Sequence, residues 1–452
     1  MDWLKQAKKY EKEFLDVIVP LLQIPTVLEK YDPEDKEYPF GEPIRKALDF
    51  VLAKGKEYGF KTKDIDHYAG YIEQGEGEEQ IGILGHLDVV PAGGKWTYPP
   101  FSATVKDGKI YARGSMDDKG PSVAALIAMK MIDDANIPLK KRIRLIFGCD
   151  EESGMRGVKR YIEKETMPDI GFAPDADFPL IYGEKGIFSF DILGYGDDDL
   201  LESMRAGERY NIVPDECVAI LKKDLSTEFT AFLQLKGYQG ETDGKKYVIY
   251  GQSSHAAWPQ HGVNAVFLMT EFLREHTNHP LIRFIDNCLL FDHTGEKLGI
   301  DCYDELMKEL TINTALVRME NNNFYVGCNI RYPRNYDFEA GVVKITEKAT
   351  KYGLKFETES NSPSHFVSPD DPFVQTLYKA YQKYTNDFVS PMMTIGGGTY
   401  ARVLKKAVAF GAAFPGDPDL AHQPDEYLEI DKLLVTAAIY AEAIEKLAGF
   451  GE

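Results

Sequence analysis

Cysteine is scarce and scattered in this chain, with five residues, Cys149, Cys217, Cys288, Cys302 and Cys328, spread over 452 positions and no CxxC pair among them. An odd, widely spaced set speaks against a disulfide framework or a cysteine-held zinc, and places the expected compartment in the reducing cytoplasm. No apolar run approaches the ~18 residues of a membrane span. Basic residues are outnumbered, 52 Lys and Arg against 72 Asp and Glu for a net charge of −20, which argues against nucleic acid or an anionic membrane as partner. The N-terminal stretch from Met1 is too charged for a signal peptide and reads as one amphipathic helix with Leu4, Phe14, Ile18 and Leu21 turned inward. Internal repeats and low-complexity segments are also missing. At 44% hydrophobic residues and 452 positions, the chain can bury full cores in two or three domains, at about 100–200 residues each.

What is present is a series of potential metal ligands, each at the edge of an apolar run. Ile81 to Leu87 reads as a strand carrying His86, with Asp88 two residues on and so on the same face, able to take the ring N–H that a metal leaves unused. Arg113-Gly114-Ser115-Met116-Asp117-Asp118-Lys119-Gly120-Pro121 precedes an apolar helix from Ser122 to Ile132. Asp117 has two oxygens with which to bridge two cations about 3.5 Å apart, although Asp118 and Lys119 also suit a solvated helix start. The strand Arg142–Gly148 runs into Asp150-Glu151-Glu152, where three acids crowded at the end of a buried strand repel one another unless cations compensate. Glu152 then suits a ligand and Glu151 a general base; the alternative is an acidic start to a helix over Val158–Lys164. Asp175 lies between prolines, where a plain turn is the ordinary explanation. His422 follows the strand Ala407–Gly411, where a lone histidine is more often structural than a ligand.

These five segments, in this order, resemble the zinc metallopeptidase family of aminoacylases, glutamate carboxypeptidases and bacterial dipeptidases, and most of all its PepV-type dipeptidase branch. The resemblance extends to Tyr210-Asn211-Ile212-Val213-Pro214-Asp215, Asn329-Ile330-Arg331-Tyr332-Pro333 and Thr394-Ile395-Gly396-Gly397-Gly398-Thr399-Tyr400-Ala401-Arg402. It implies that His86, Asp117 and Asp175 hold one metal and that Asp117, Glu152 and His422 hold the other. Glu151 would deprotonate the water between them and later protonate the leaving amine, Asp88 would orient His86, and His255 would stabilise the oxyanion. Arg331, Asn211 and the loop Gly396, Gly397, Gly398 and Thr399 would clamp substrate. The branch commonly has Glu where this chain has Asp177, outside the implied ligand set.

The chemistry is coherent on its own terms. Amide hydrolysis needs a polarised carbonyl, hydroxide near neutral pH and a proton for the amine; a metal site supplies the first two and one carboxylate the third. Two imidazoles with three carboxylates suit zinc, and such oxygen-rich sets also accept manganese or cobalt. A guanidinium at Arg331 suits a carboxylate, the alternative being a surface salt bridge, and three glycines let backbone N–H groups approach one, the alternative being a flexible turn.

The expected fold is α/β: a zinc-peptidase-like catalytic domain, its mixed sheet covered by helices, from residues 1–183 and 367–452, with an inserted α+β lid domain over 184–366. The acidic stretch Gly194–Glu202 is expected to be an exposed loop. The lid would close over substrate and, being long as in the PepV branch, replace a partner subunit, which makes the expected form a monomer. The expected activity is hydrolysis of small unblocked dipeptides with broad side-chain tolerance. A deacylase or desuccinylase of the same architecture is the nearer alternative, and a non-catalytic binding protein the farther one.

Overall fold

A computed structural model of the chain describes residues 1–28 and 30–449. They form two compact units: Met1–Gly183 with Phe366–Met393 and Thr399–Glu452, and Glu184–His365 with Thr394–Gly398.

The first unit is built on a mixed sheet in which Lys61–Ile65, Ala69–Gln74, Arg142–Gly148, Gln80–His86, Ile170–Ala173, Ala407–Ala409 and Ile181–Glu184 lie side by side in that order. Gln80–His86 runs parallel to both its neighbours, and Ala407–Ala409 runs parallel to Ile170–Ala173. Every residue of Gln80–His86 is buried, as a strand without alternation must be when both its faces are covered. The helices Glu42–Glu57, Lys119–Asp134, Arg156–Lys164 and Ile430–Ala448 pack against this sheet, and Lys119–Asp134 also packs along Ile430–Ala448. That explains why Lys119–Asp134 is apolar around most of its circumference, with Val123 to Met129 all buried. The α/β class and the mixed sheet are as expected.

The N-terminus differs from its expectation. It forms two helices, Trp3–Ala7 and Glu11–Leu22, and the buried anchor of the first is Trp3, whose indole N–H donates to Glu445 at 2.6 Å.

The second unit is a fully antiparallel eight-stranded sheet, in the order Gln239–Thr242, Lys246–Tyr250, Glu216–Leu221, Leu201–Ala206, Thr311–Glu320, Asn323–Tyr332, Gly186–Tyr195, Lys355–Ser362. It is a topological duplication that the sequence conceals. Outward from the central pair, each half has a hairpin partner, an inner strand and an edge strand, with one helix after the hairpin, Ser226–Lys236 in one half and Phe338–Lys351 in the other. The halves meet where Arg205 stands opposite Arg318. Gly194–Glu202 is a partly exposed loop over 196–200 between two strand ends, with Leu200 and Leu201 buried. One boundary differs from the sequence reading. Thr394–Gly398 belongs with the second unit, because Lys185 N donates to Ile395 O at 2.9 Å and Thr394 Oγ1 to Leu306 O at 3.1 Å.

Candidate metal centre

Parallel strands deliver their C-terminal ends to one edge of the first unit's sheet, where open α/β sheets bind ligands. His86 ends its strand opposite Gly148, Asp150 to Glu152 follow the neighbouring strand, and Asp175 follows Ile170–Ala173. Close packing behind His86 requires Gly85, since a Cβ there would lie 1.9 Å from Ser122 Oγ.

Asp117 is shared between two imidazoles. Its Oδ1 lies 2.9 Å from His86 Nε2 and its Oδ2 lies 3.0 Å from His422 Nε2. His86 Nε2 is also 3.7 Å from Asp175 Oδ2, and His422 Nε2 is 3.1 Å from Glu152 Oε1. Donor atoms of His86, Asp117 and Glu152 lie within 4.8 Å of one another, as do those of His86, Glu151 and Asp175. Glu151 therefore sits among the candidate ligands. His422 reaches the cluster from a backbone with φ of +64°, a left-handed conformation that non-glycine residues hold mainly where surrounding structure fixes it.

Asp88 acts differently from its expected part. His86 Nδ1 lies 2.9 Å from the main-chain oxygen of Asp88, while the Asp88 carboxylate is 3.6 Å away. That carboxylate instead accepts from Glu151 N at 3.0 Å and Glu152 N at 3.1 Å. The backbone carbonyl thus sets the ring's tautomer, and the side chain holds the turn that carries both glutamates.

Burial pushes Glu151 up to about 8, with His86 opposing and Glu152, Asp117 and Asp88 adding. Burial likewise raises Asp175 and Glu152, in each case with Asp117 contributing. Burial works the same way on Asp117, but the close imidazoles of His422 and His86 outweigh it and hold that carboxyl far below the usual range. Hydrogen bonds with Asp117 and Glu152 push His422 up to about 10 against the effect of burial.

The residues fit a divalent metal pair. His86 Nε2 and Asp117 Oδ1 are buried and face each other without a proper hydrogen bond, which is costly unless something else satisfies them. Two imidazoles and several carboxylates crowded together are also a donor set that cations stabilise.

Several residues here escaped the sequence reading. Asp118 stands at the N-cap position of Lys119–Asp134 as it resembled, but it and Lys119 are fully buried and not solvated. Asp118 accepts from His86 N at 3.2 Å and from Ser122 Oγ at 2.9 Å, and Lys119 donates to Ile24 O at 2.9 Å. The Tyr400 ring stands edge-on to His86 at 6.2 Å. Glu426 and Arg113 are buried and paired at 2.6 Å. Only the last pair left a sequence signal, each member lying four residues from a candidate ligand.

In the second unit, Ala256 N donates to Asn211 O at 2.9 Å, and Ile212 forms an isolated β-bridge with His255. His255 Nδ1 accepts from Ala257 N at 3.2 Å, which leaves the ring proton on Nε2. Arg331 is only 4% exposed, so it is no surface ion-pair residue. Its Nε donates to Asn329 Oδ1 and its Nη1 to Gly396 O, both at 2.8 Å. A Cβ on Gly396 would lie 2.6 Å from that of Ala257, so close packing requires glycine there. Gly397 and Gly398 follow in the same unit, whereas Thr399 belongs to the first unit and caps the short helix Tyr400–Val403 by accepting from Ala401 N at 3.1 Å.

Residues 82–446 match the description peptidase family M20/M25/M40. The chain belongs to that family. It is 41% identical over 468 residues to "Putative dipeptidase YtjP" of Bacillus subtilis, covering 99% of this chain and 100% of that one. Its fold is similar to that of an aminoacylhistidine dipeptidase from Vibrio alginolyticus, with a TM-score of 0.60 at 13% identity over 96% of both chains. It is also similar in fold to the YXEP protein of Bacillus subtilis, described as a dinuclear metal binding peptidase, with a TM-score of 0.56 at 12% identity over 98% of this chain and 99% of that one. Membership makes the chain a metallopeptidase, and among the described residues no helix is long and apolar enough to cross a membrane.

Proposed function

We propose that the protein is a dipeptidase that hydrolyses small unblocked dipeptides with broad side-chain tolerance, using two divalent metal ions. The observation that carries this reading is Asp117, whose two carboxylate oxygens face His86 and His422 separately. The name of the Bacillus subtilis relative supports the substrate class. His86, Asp117 and Asp175 would hold one ion and Asp117, Glu152 and His422 the other. Zinc suits the donor set best, with manganese or cobalt as substitutes. Bound there, the ions supply Lewis acidity to the amide oxygen and lower the pKa of water to about 7.

The chain's own residues do the rest. Glu151 takes a proton from the attacking water and returns it to the leaving amine. His255, whose Nδ1 is committed as an acceptor, offers Nε2–H to the oxygen that becomes negative. Arg331, steadied by Asn329 and Gly396, grips the free carboxylate, with Asn211, Gly396, Gly397, Gly398 and Thr399 completing the clamp. Asp88 is a positioning residue for His86 and for the Glu151–Glu152 turn.

A clamp on both ends of the substrate measures its length. Ala-Ala and β-Ala-His should therefore be hydrolysed at least tenfold faster, by kcat/KM, than the corresponding tripeptides. Equal turnover of tripeptides would defeat the length argument, and a preference for N-acylated amino acids would move the protein to the deacylase reading.

We further propose a cytoplasmic monomer. The duplicated second unit already pairs two equivalent strands, Leu201–Ala206 and Thr311–Glu320, in the manner of two joined subunits. Sedimentation at micromolar concentration should give a single species near 51.0 kDa. A dimer that loses activity on dilution would be the contrary result.

A further inference from the structure

The loop that carries His422 has little apolar to hold it: its Phe414 ring meets Phe178 at 4.8 Å, but eight residues before His422. From Ala413 to Asp425 no residue is buried, and the first buried side chain after it is Glu426, which is 0% exposed. A ligand on such a loop needs another anchor, because a shift of even 1 Å spoils a metal or catalytic constellation.

We propose that Glu426, paired with Arg113, is the positioning residue that fixes Asp117 and the His422 loop in register with each other. The pair reaches both. Glu426 Oε1 accepts from Met116 N at 2.8 Å and from Asp117 N at 3.3 Å, and Ser115 Oγ is 3.5 Å away. Its Oε2 accepts from Arg113 Nη1 at 2.6 Å. The same Nη1 lies 3.3 Å from Gln423 O, next in sequence to His422. One carboxylate thus holds the backbone of Asp117, and its guanidinium partner holds the backbone beside His422. On the loop's far side Asp425 accepts from Thr97 N at 2.7 Å and Thr97 Oγ1 at 2.8 Å, which fixes its other edge.

The composition of the brace argues for this role over simple stabilisation. Side-chain exposures of 1% and 0% mean that both charges are desolvated, and a buried ion pair adds little stability over an apolar pair of the same volume. What it supplies is direction: a carboxylate can accept several N–H groups at fixed angles, and a guanidinium can donate to two acceptors in one plane. Outer partners of metal ligands typically govern metal affinity by 10- to 100-fold.

This inference rests on the two-metal reading, and the test separates the two. Full-length protein is stripped of metal, then titrated with zinc against a chromogenic chelator, with folding followed by far-UV circular dichroism. Wild type should take up two ions per chain. Glu426→Gln, and the double variant Arg113→Met/Glu426→Gln in which neither member of the pair is left as a lone charge, should bind the weaker of the two ions about 10- to 100-fold less tightly while keeping the wild-type spectrum. Glu426→Asp should recover part of the loss. A folded double variant that binds both ions with wild-type affinity would overturn the brace and leave the metal reading standing. Wild-type protein that takes up no zinc would overturn both.

Discussion

Glu151→Gln should lower kcat by at least about 10²- to 10⁴-fold, the range a positioned acid–base group supplies, while two metal ions per chain remain bound. The amide keeps the side chain's size and removes its ability to accept and return a proton. The fold should tolerate the change, because the turn is held from the backbone: Glu151 N and Glu152 N both donate to the Asp88 carboxylate. Burial pushes Glu151 up to about 8, with neighbouring carboxylates adding and His86 opposing. Bound cations will pull it back toward neutrality, where one group serves best as base and then as acid. The experiment also decides a question the geometry raises. Donor atoms of Glu151, His86 and Asp175 lie within 4.8 Å of one another, so Glu151 has the alternative of being a ligand. Loss of an ion in Glu151→Gln would place it in the coordination sphere, and unimpaired hydrolysis would remove it from the chemistry.

The parts of this protein legible in its sequence are those where one residue type has few alternatives. Ile81–Leu84 and Leu145–Phe147 are apolar runs leading into polar clusters, and a buried strand meeting a site reads that way. Asp150-Glu151-Glu152 could be read because three adjacent acids after a buried strand demand an explanation. What could not be read depends on contacts between distant segments. Nothing in Asp118 or Lys119 tells a buried helix start from a solvated one, since the chain segments that cover them lie elsewhere in the sequence. The spacing of two residues brings Asp88 to His86, but which of its oxygens meets His86 Nδ1 is decided by the turn that follows it. The duplication of the second unit left no trace because a fold repeats its hydrogen-bond pattern without repeating side chains, and one half is interrupted by the other between Tyr195 and Thr311. Glu426 shows nothing of its role locally, because its partner Arg113 lies more than three hundred residues earlier.

Metal removal should turn the protein's stability into a function of pH, and reloading should flatten it. Without cations, His422 is held up at about 10 by Asp117 and Glu152, against an ordinary 6.5. That stabilisation is complete below about 6.5 and is lost as pH rises through about 10. Glu151, pushed up to about 8 from 4.5 mainly by burial, also binds its proton more tightly folded than unfolded, so its contribution falls as pH rises from 4.5 to 8. Both slopes have the same sign, because the folded state holds more protons across this window. Asp117 has the opposite sign, but its carboxyl is depressed, so its contribution changes only below 3.8. The melting temperature of metal-free protein should therefore fall between pH 6 and 9 by several degrees more than that of zinc-loaded protein, each ~1 kcal/mol being worth about 2–4 °C in a domain of this size. Comparing the two forms cancels every titrating group outside the site. Since the ions must displace those protons, zinc loading at pH 7 should also release them, which calorimetry in two buffers of different ionisation enthalpy would register. Parallel melting curves with no proton release would mean that His422 and Glu151 do not face the ions at all, and the centre would have to be sought elsewhere in the molecule.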